Sequence, residues 1–177
     1  MTKLSLIIGG AGSGKSEYAE SLILKASGRR IYLASMHRDE SRETALKIQR
    51  HLLQREKKNF ITLEREKNIG SLSFDTGDSV LLEDLSNLLA NEMFSAPAYR
   101  NNKTAFSEKI FSDIEALLKN DIHLYIVSND IFSDGCRYDK ITKDYIEELA
   151  RLNALIAENS DLVVRVVCGI PILLKEK

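Results

Sequence analysis

Gly9, Gly10, Ala11, Gly12, Ser13, Gly14, Lys15 and Ser16 follow the spacing G-x-x-x-x-G-K-[ST]. Glycines let successive backbone N–H groups turn toward one point. A helix opening near Lys15 adds unpaired N–H donors and the positive end of its dipole. An anion with several oxygens suits such a nest. Lys15 would reach the β- and γ-phosphates of a nucleotide, and the Ser16 hydroxyl would ligate Mg2+. A glycine-rich turn with an incidental lysine is the other reading. The run stands between an apolar stretch at 4–8 and a helical pattern carried by Tyr18, Ala19, Leu22, Ile23 and Ala26, which is the context a phosphate loop demands.

Such a loop normally shares its metal with an acid at a neighbouring strand end. Glu83 and Asp84 close the apolar run 79–82, and Asp130 closes Ser128-Asn129-Asp130 after the run 123–127. The Glu83/Asp84 pair is preferred, with Asp130 its rival. Asp84 also fits a helix N-cap, since a helical pattern begins at Leu85. A different chemistry is offered by Lys47, His51 and Arg55, which recur at intervals of four on a helix expected over 43–57. Their side chains share one flank, beside the apolar Ile48 and Leu52. Cationic neighbours favour the neutral imidazole, the form able to attack phosphorus. A solvated face is the commoner use of such a ridge. His37 and His123 receive no role.

These groups need a scaffold that gathers strand ends. Apolar runs at 4–8, 30–34, 60–63, 79–82, 123–127 and 162–167 alternate with helical patterns at 85–94, 106–119 and 140–159. Residues 65–78 read as a loop with one helical turn near 69–72, 96–104 as a turn, and 172–174 as a candidate last strand. Strand and helix in alternation predict a mainly parallel sheet in a three-layer α/β fold, with ligands beyond the carboxyl ends of the strands. The 177 residues carry 25 Lys and Arg against 26 Asp and Glu, 44% hydrophobic and 29% charged. One domain is expected, with about two-thirds of the unfolded chain's surface buried. A formal net charge of −1 argues for neither nucleic acid nor membrane as partner. Nothing approaches the length of a membrane span, so the cytoplasm is the expected compartment. Cys136 and Cys168 are too far apart in sequence for a C-x-x-C site; the first reads as a loop residue and the second as buried.

Taken together these segments resemble the bifunctional adenosylcobinamide kinase / adenosylcobinamide-phosphate guanylyltransferase family of cobalamin biosynthesis. The family's GGARSGKS is here GGAGSGKS, and its Y-I-A-T is matched by Tyr32-Leu33-Ala34-Ser35. Its acidic stretch before R-I-x-x-H is matched by Asp39-Glu40 and Lys47-Ile48-Gln49-Arg50-His51. Arg55, Phe60 and Thr62-Leu63-Glu64 follow, then Leu81-Leu82-Glu83 with Asn91, and finally Val166-Val167-Cys168-Gly169-Ile170-Pro171. The segment resembling T-N-E-x-G-x-G-x-V-P departs most: Ser128-Asn129-Asp130 is followed by fewer glycines and no proline. The resemblance implies a RecA-like P-loop NTPase fold, a homotrimer, ATP and GTP as nucleotides and a corrinoid as the small-molecule substrate. It implies that His51 is the nucleophile guanylylated by GTP. It further implies that Gly9 to Ser16 bind phosphates, that Ala34, Ser35, Met36, Leu52, Leu53, Gln54 and Arg55 line the nucleotide site, and that Glu64 and Glu83 complete it. A relative acting on another small acceptor, or a regulatory nucleotide-binding module without turnover, are the alternatives.

Overall fold

The computed structural model describes residues 3–36, 58–95, 106–132, 135 and 138–177. Seven strands in that set form one sheet: β1 (Leu4–Gly9), β2 (Arg30–Ala34), β3 (Phe60–Glu64), β4 (Ser79–Leu82), β5 (His123–Asn129), β6 (Leu162–Val167) and β7 (Ile170–Glu176). The helices are α1 (Lys15–Ile23), α2 (Leu85–Ser95), α3 (Phe106–Leu118) and α4 (Lys140–Asn159), with a single 3-10 turn at Ile69–Ser71. Strand order across the sheet is β3-β2-β4-β5-β1-β6-β7. Every neighbouring pair is parallel except β6–β7, which is an antiparallel hairpin.

Side chains alternate across the sheet and so build two cores. Leu4, Leu6, Val80, Leu82, Leu124 and Ile126 face one side, where Leu85, Leu88, Ile110, Ile114, Leu152 and Ile156 from α2, α3 and α4 cover them. Ile7, Tyr32, Leu81, Val127, Val164 and Val166 face the other, against Ala19 and Ile23 of α1. In α4 the buried Leu149, Leu152, Asn153 and Ile156 follow the 3–4 spacing of one helical face. Asp139 starts that helix by accepting the Thr142 N–H at 2.7 Å. The hydrogen bonds from Thr142 also hold the Asp139 carboxyl below its ordinary range.

At the amino edge, Arg29 grips Asp78 with two bonds, Nε to Oδ1 at 2.9 Å and Nη2 to Oδ2 at 2.7 Å. The Asp78 side chain is 4% exposed, and the guanidinium holds its carboxyl below the usual range. This clamp fixes the start of β2 against the start of β4.

The strand expected at 172–174 is longer, spanning Ile170–Glu176, and reaches the hairpin turn. Ile170, Ile172, Leu173 and Leu174 are all exposed, by 45–65%. Cys168 departs from expectation outright: it is exposed and sits in that turn at φ 51°, because a left-handed turn residue at the sheet's edge has no core to enter. The helix expected over 43–57, the turn at 96–104 and Cys136 lie outside the described residues. No helix among the described residues is long and apolar enough to cross a membrane.

Candidate nucleotide site at the carboxyl edge

The parallel register brings the strand ends to one edge: Gly9 pairs with Asn129, Ala34 with Glu64, Leu33 with Leu82, and Leu82 with Ile126. The phosphate loop leaves β1 there and enters α1 at Lys15. Gly14 holds φ 88° just before the helix, a conformation that L side chains rarely adopt. Gly9 is required for a different reason. A Cβ at that position would stand 2.5 Å from Ser13 Oγ and 2.6 Å from the Val166 carbonyl oxygen. The β6–β7 turn braces the loop from outside, with the Gly169 N–H donating to Ser13 O at 2.8 Å.

Lys15 Nζ donates to the Gly10 carbonyl at 3.2 Å, folding its ammonium back over the loop. Burial lowers its pKa and the nearby Asp84 carboxylate raises it, with burial the larger effect. Asp84, just after β4, is thus an acid whose charge reaches the loop lysine. Glu83 continues the ladder, its N–H donating to Leu33 O at 3.2 Å. Asp84 is also the N-cap of α2, accepting the N–H of Ser86 at 2.8 Å and of Asn87 at 3.3 Å. The N-cap reading of Asp84 is therefore seen directly. Asn129 fixes the cap from β5: its Nδ2 donates to Ser86 Oγ at 2.6 Å and lies 3.3 and 3.4 Å from the two Asp84 oxygens. Tyr145 of α4 donates to Ser86 O at 3.0 Å.

The Ser16 hydroxyl stands in the exposed first turn of α1. A hydroxyl and a carboxylate at one edge form an all-oxygen donor set, the kind a hard divalent cation prefers. The residues fit Mg2+.

At the β2–β3 end of the edge a second cavity, about 460 Å³, is lined by Met36, Glu64, Arg65, Glu66, Lys67 and Asn68. Of Ala34, Ser35 and Met36, only Met36 lines it. Ser35 is fully buried, its hydroxyl donating to Asp84 O at 2.9 Å while its carbonyl accepts Asn91 Nδ2 at 2.7 Å. Its side chain braces β2 against β4. Arg65 was missed by sequence reasoning; its buried Nε has no hydrogen-bond partner among the described residues. No spacing in the sequence marks it. His51, Leu52, Leu53, Gln54 and Arg55 lie outside the described residues. No group of three or more His, Cys, Asp or Glu able to hold a metal occurs among the described residues.

The family model described as "Cobinamide kinase / cobinamide phosphate guanyltransferase" matches residues 5–174. The "Bifunctional adenosylcobalamin biosynthesis protein CobU" of Escherichia coli (strain K12) is 26% identical over 181 residues, covering 96% of this chain and 98% of that protein. The protein of the same description from Salmonella typhimurium is similar to the same extent. Among solved structures, a prototypical ATPase from the type III secretion system of pathogenic bacteria superposes with a TM-score of 0.52 at 12% identity. That match covers 93% of this chain and 52% of the ATPase, a likeness of fold, so the three-layer sheet with its glycine loop is a P-loop NTPase fold. With a family match running from β1 into β7, the chain belongs to the cobinamide kinase / cobinamide phosphate guanyltransferase family.

Proposed function

We propose that this protein carries out two steps of cobalamin assembly on one corrinoid. In the first, the γ-phosphoryl group of ATP or GTP passes to the aminopropanol hydroxyl of adenosylcobinamide. In the second, neutral His51 attacks the α-phosphorus of GTP and releases pyrophosphate. The resulting histidine–GMP phosphoramidate then transfers GMP to adenosylcobinamide-phosphate. Covalent catalysis divides one difficult displacement into two easier ones.

The observation that carries this reading is the joining of loop and acid at one edge. Lys15 opens α1 from the β1 loop and Asp84 caps α2 after β4, in a chain whose family match covers residues 5–174. The Gly9–Ser16 nest would hold the phosphates, and the lysine would turn from Gly10 O to the β- and γ-oxygens as charge builds there. The Ser16 hydroxyl together with Asp84 or Glu83 would hold Mg2+, which would neutralise charge at the phosphates. Met36, Glu64 and Arg65 would border the base, with the Arg65 guanidinium supplying the donor. Ala34 and Ser35 would shape that site through the backbone and through the brace to Asp84, with Leu52, Leu53, Gln54 and Arg55 flanking the nucleophile.

The 177 residues would act as a single domain in the cytoplasm, with no nucleic acid or membrane partner. The exposed apolar β7, an edge strand open to pairing, supports a homo-oligomer, a trimer by family likeness. The test is incubation with GTP labelled at the α-phosphate. Acid-labile, base-stable label on protein, lost in His51→Ala, supports the histidine route. Label without phosphorylation of adenosylcobinamide would point to a different acceptor, and nucleotide affinity without label or pyrophosphate release to a regulatory module.

A further inference from the structure

A cavity of about 450 Å³ lies against the phosphate loop on its β6 side, at the opposite end of the edge from Met36 and Glu64. Gly10 to Ser13 form one wall, Asp130 and Ile131 another, and residues 165–168 the third. Asp130 is the only acid in that lining among the described residues. Its N–H donates to Gly9 O at 3.0 Å, which pins it beside the first glycine of the loop. Its Oδ2 accepts from Arg165 Nη2 at 2.7 Å, and the side chain is 19% exposed. Arg165 interrupts the apolar run of β6 to make this contact.

The position of the terminal phosphate follows from the lysine. Lys15 Nζ reaches the Gly10 carbonyl, and a loop lysine engages the β- and γ-phosphates. The outer end of a bound triphosphate therefore points to the Gly10–Ala11 side of the loop, the side that walls this cavity. A further anion is poorly suited to the cavity, because among the described residues its one cation is already paired with Asp130 and the wall at Ile131, Val166 and Val167 is apolar. A neutral hydroxyl on a partly apolar arm suits it well. Asp84, whose charge also reaches the loop lysine, caps α2 and in the proposed function stands with Mg2+ rather than with the acceptor.

We propose that this cavity receives the hydroxyl-bearing arm of the phosphoryl acceptor and that Asp130 is the general base for its phosphorylation. The inference rests on the kinase half of the proposed function. The acceptor oxygen forms its bond to the γ-phosphorus while the bond from that phosphorus to the β–γ bridging oxygen breaks. The hydroxyl proton passes to the Asp130 carboxylate and the nucleoside diphosphate leaves. Arg165 is a positioning residue: it holds the carboxylate against the cavity and touches neither nucleotide nor reacting atoms.

The experiment is steady-state phosphorylation of adenosylcobinamide by Mg·ATP in the wild-type protein and in Asp130→Asn, Asp130→Glu and Arg165→Ala. Asp130→Asn should lose about 10²–10⁴-fold in kcat and lose the rise of kcat with pH on the acid limb. Its affinity for Mg·ATP should stay within about threefold of wild type, which separates lost chemistry from lost folding. Asp130→Glu should regain most of the rate and the pH limb. Arg165→Ala should lower kcat less than Asp130→Asn. A kcat in Asp130→Asn within about threefold of wild type overturns the inference and leaves the kinase reading intact. So does a fall in kcat matched by an equal fall in Mg·ATP affinity, or an unchanged pH limb. A wild-type protein that phosphorylates no adenosylcobinamide overturns both.

Discussion

The two ends of the carboxyl edge are built on different principles. At the β5–β1–β6 end the backbone itself makes the site. Main-chain hydrogen bonds tie Asp130 to Gly9 and the Gly169 turn to Ser13, and the contact at Gly9 leaves no room for a Cβ. At the β2–β3 end a cavity of similar volume is walled by long side chains, Met36, Glu64, Arg65 and Lys67, at the end of β3 and just beyond β2 and β3. A phosphate is the same on every nucleotide and can be met by fixed N–H groups. A base differs between nucleotides, and side chains that can be exchanged are the means of telling one from another.

That contrast can be broken most severely at Lys15. Lys15→Ala should cut phosphoryl and guanylyl turnover by about 10²–10³-fold or more, since one preorganised group facing developing charge is worth that much. Kinetics with either nucleotide would check it, and a mutant within tenfold of wild type would remove the loop from the chemistry. Next comes a paired test of the backbone principle. Gly9→Ala forces a Cβ against Ser13 Oγ and Val166 O and should destabilise the fold by about 1–3 kcal/mol. Gly10→Ala meets nothing within 4 Å and should melt like the wild type. Equal melting temperatures for the two would contradict the close packing described.

How much of this division was legible in the sequence follows from the same contrast. The glycine loop announces itself because backbone geometry restricts residue type. α4 and β6 lie where the sequence places them, at Lys140–Asn159 and Leu162–Val167, because a long one-faced helix and a β-branched run each carry a single period. β7 was read too short since its apolar residues lie on both faces and all stay exposed, so no alternation marks it. Residue type alone predicts a buried Cys168, whereas its left-handed turn keeps it outside. The resemblance implies Ser35 in the nucleotide site; its side chain makes the strand-to-strand brace, a contact between residues 49 apart that spacing does not reveal. Arg65 and Arg165 gave no signal except a charge beside or within an apolar strand.

The amino edge supplies a control remote from both cavities. Asp78→Asn removes the ionised half of the Arg29 clamp and should cost about 1–2 kcal/mol at neutral pH, the lower part of the range because Arg29 is half exposed and stays hydrated. Asp78 has its carboxyl pKa depressed in the folded state. Its contribution is therefore fully present above the unfolded value near 3.9 and is lost as pH falls through the folded pKa. Denaturant melts of wild type and Asp78→Asn should converge in strong acid while nucleotide affinity at neutral pH is unchanged. The smallest effect belongs to the side-chain end. Arg65→Ala should weaken nucleotide binding by about three- to tenfold, the worth of one hydrogen bond, with little change in melting temperature. Titration with GTP and ATP would show whether the loss is larger for one base.

A crystal structure with Mg2+ and a non-hydrolysable GTP analogue tests the division of the edge most directly. The account predicts phosphates on Gly9–Ser16, the base against Met36, Glu64 and Arg65, and the cavity beside Asp130 left open to the acceptor. A guanine seated in the Asp130 cavity, with its phosphates running away from Lys15, would contradict it.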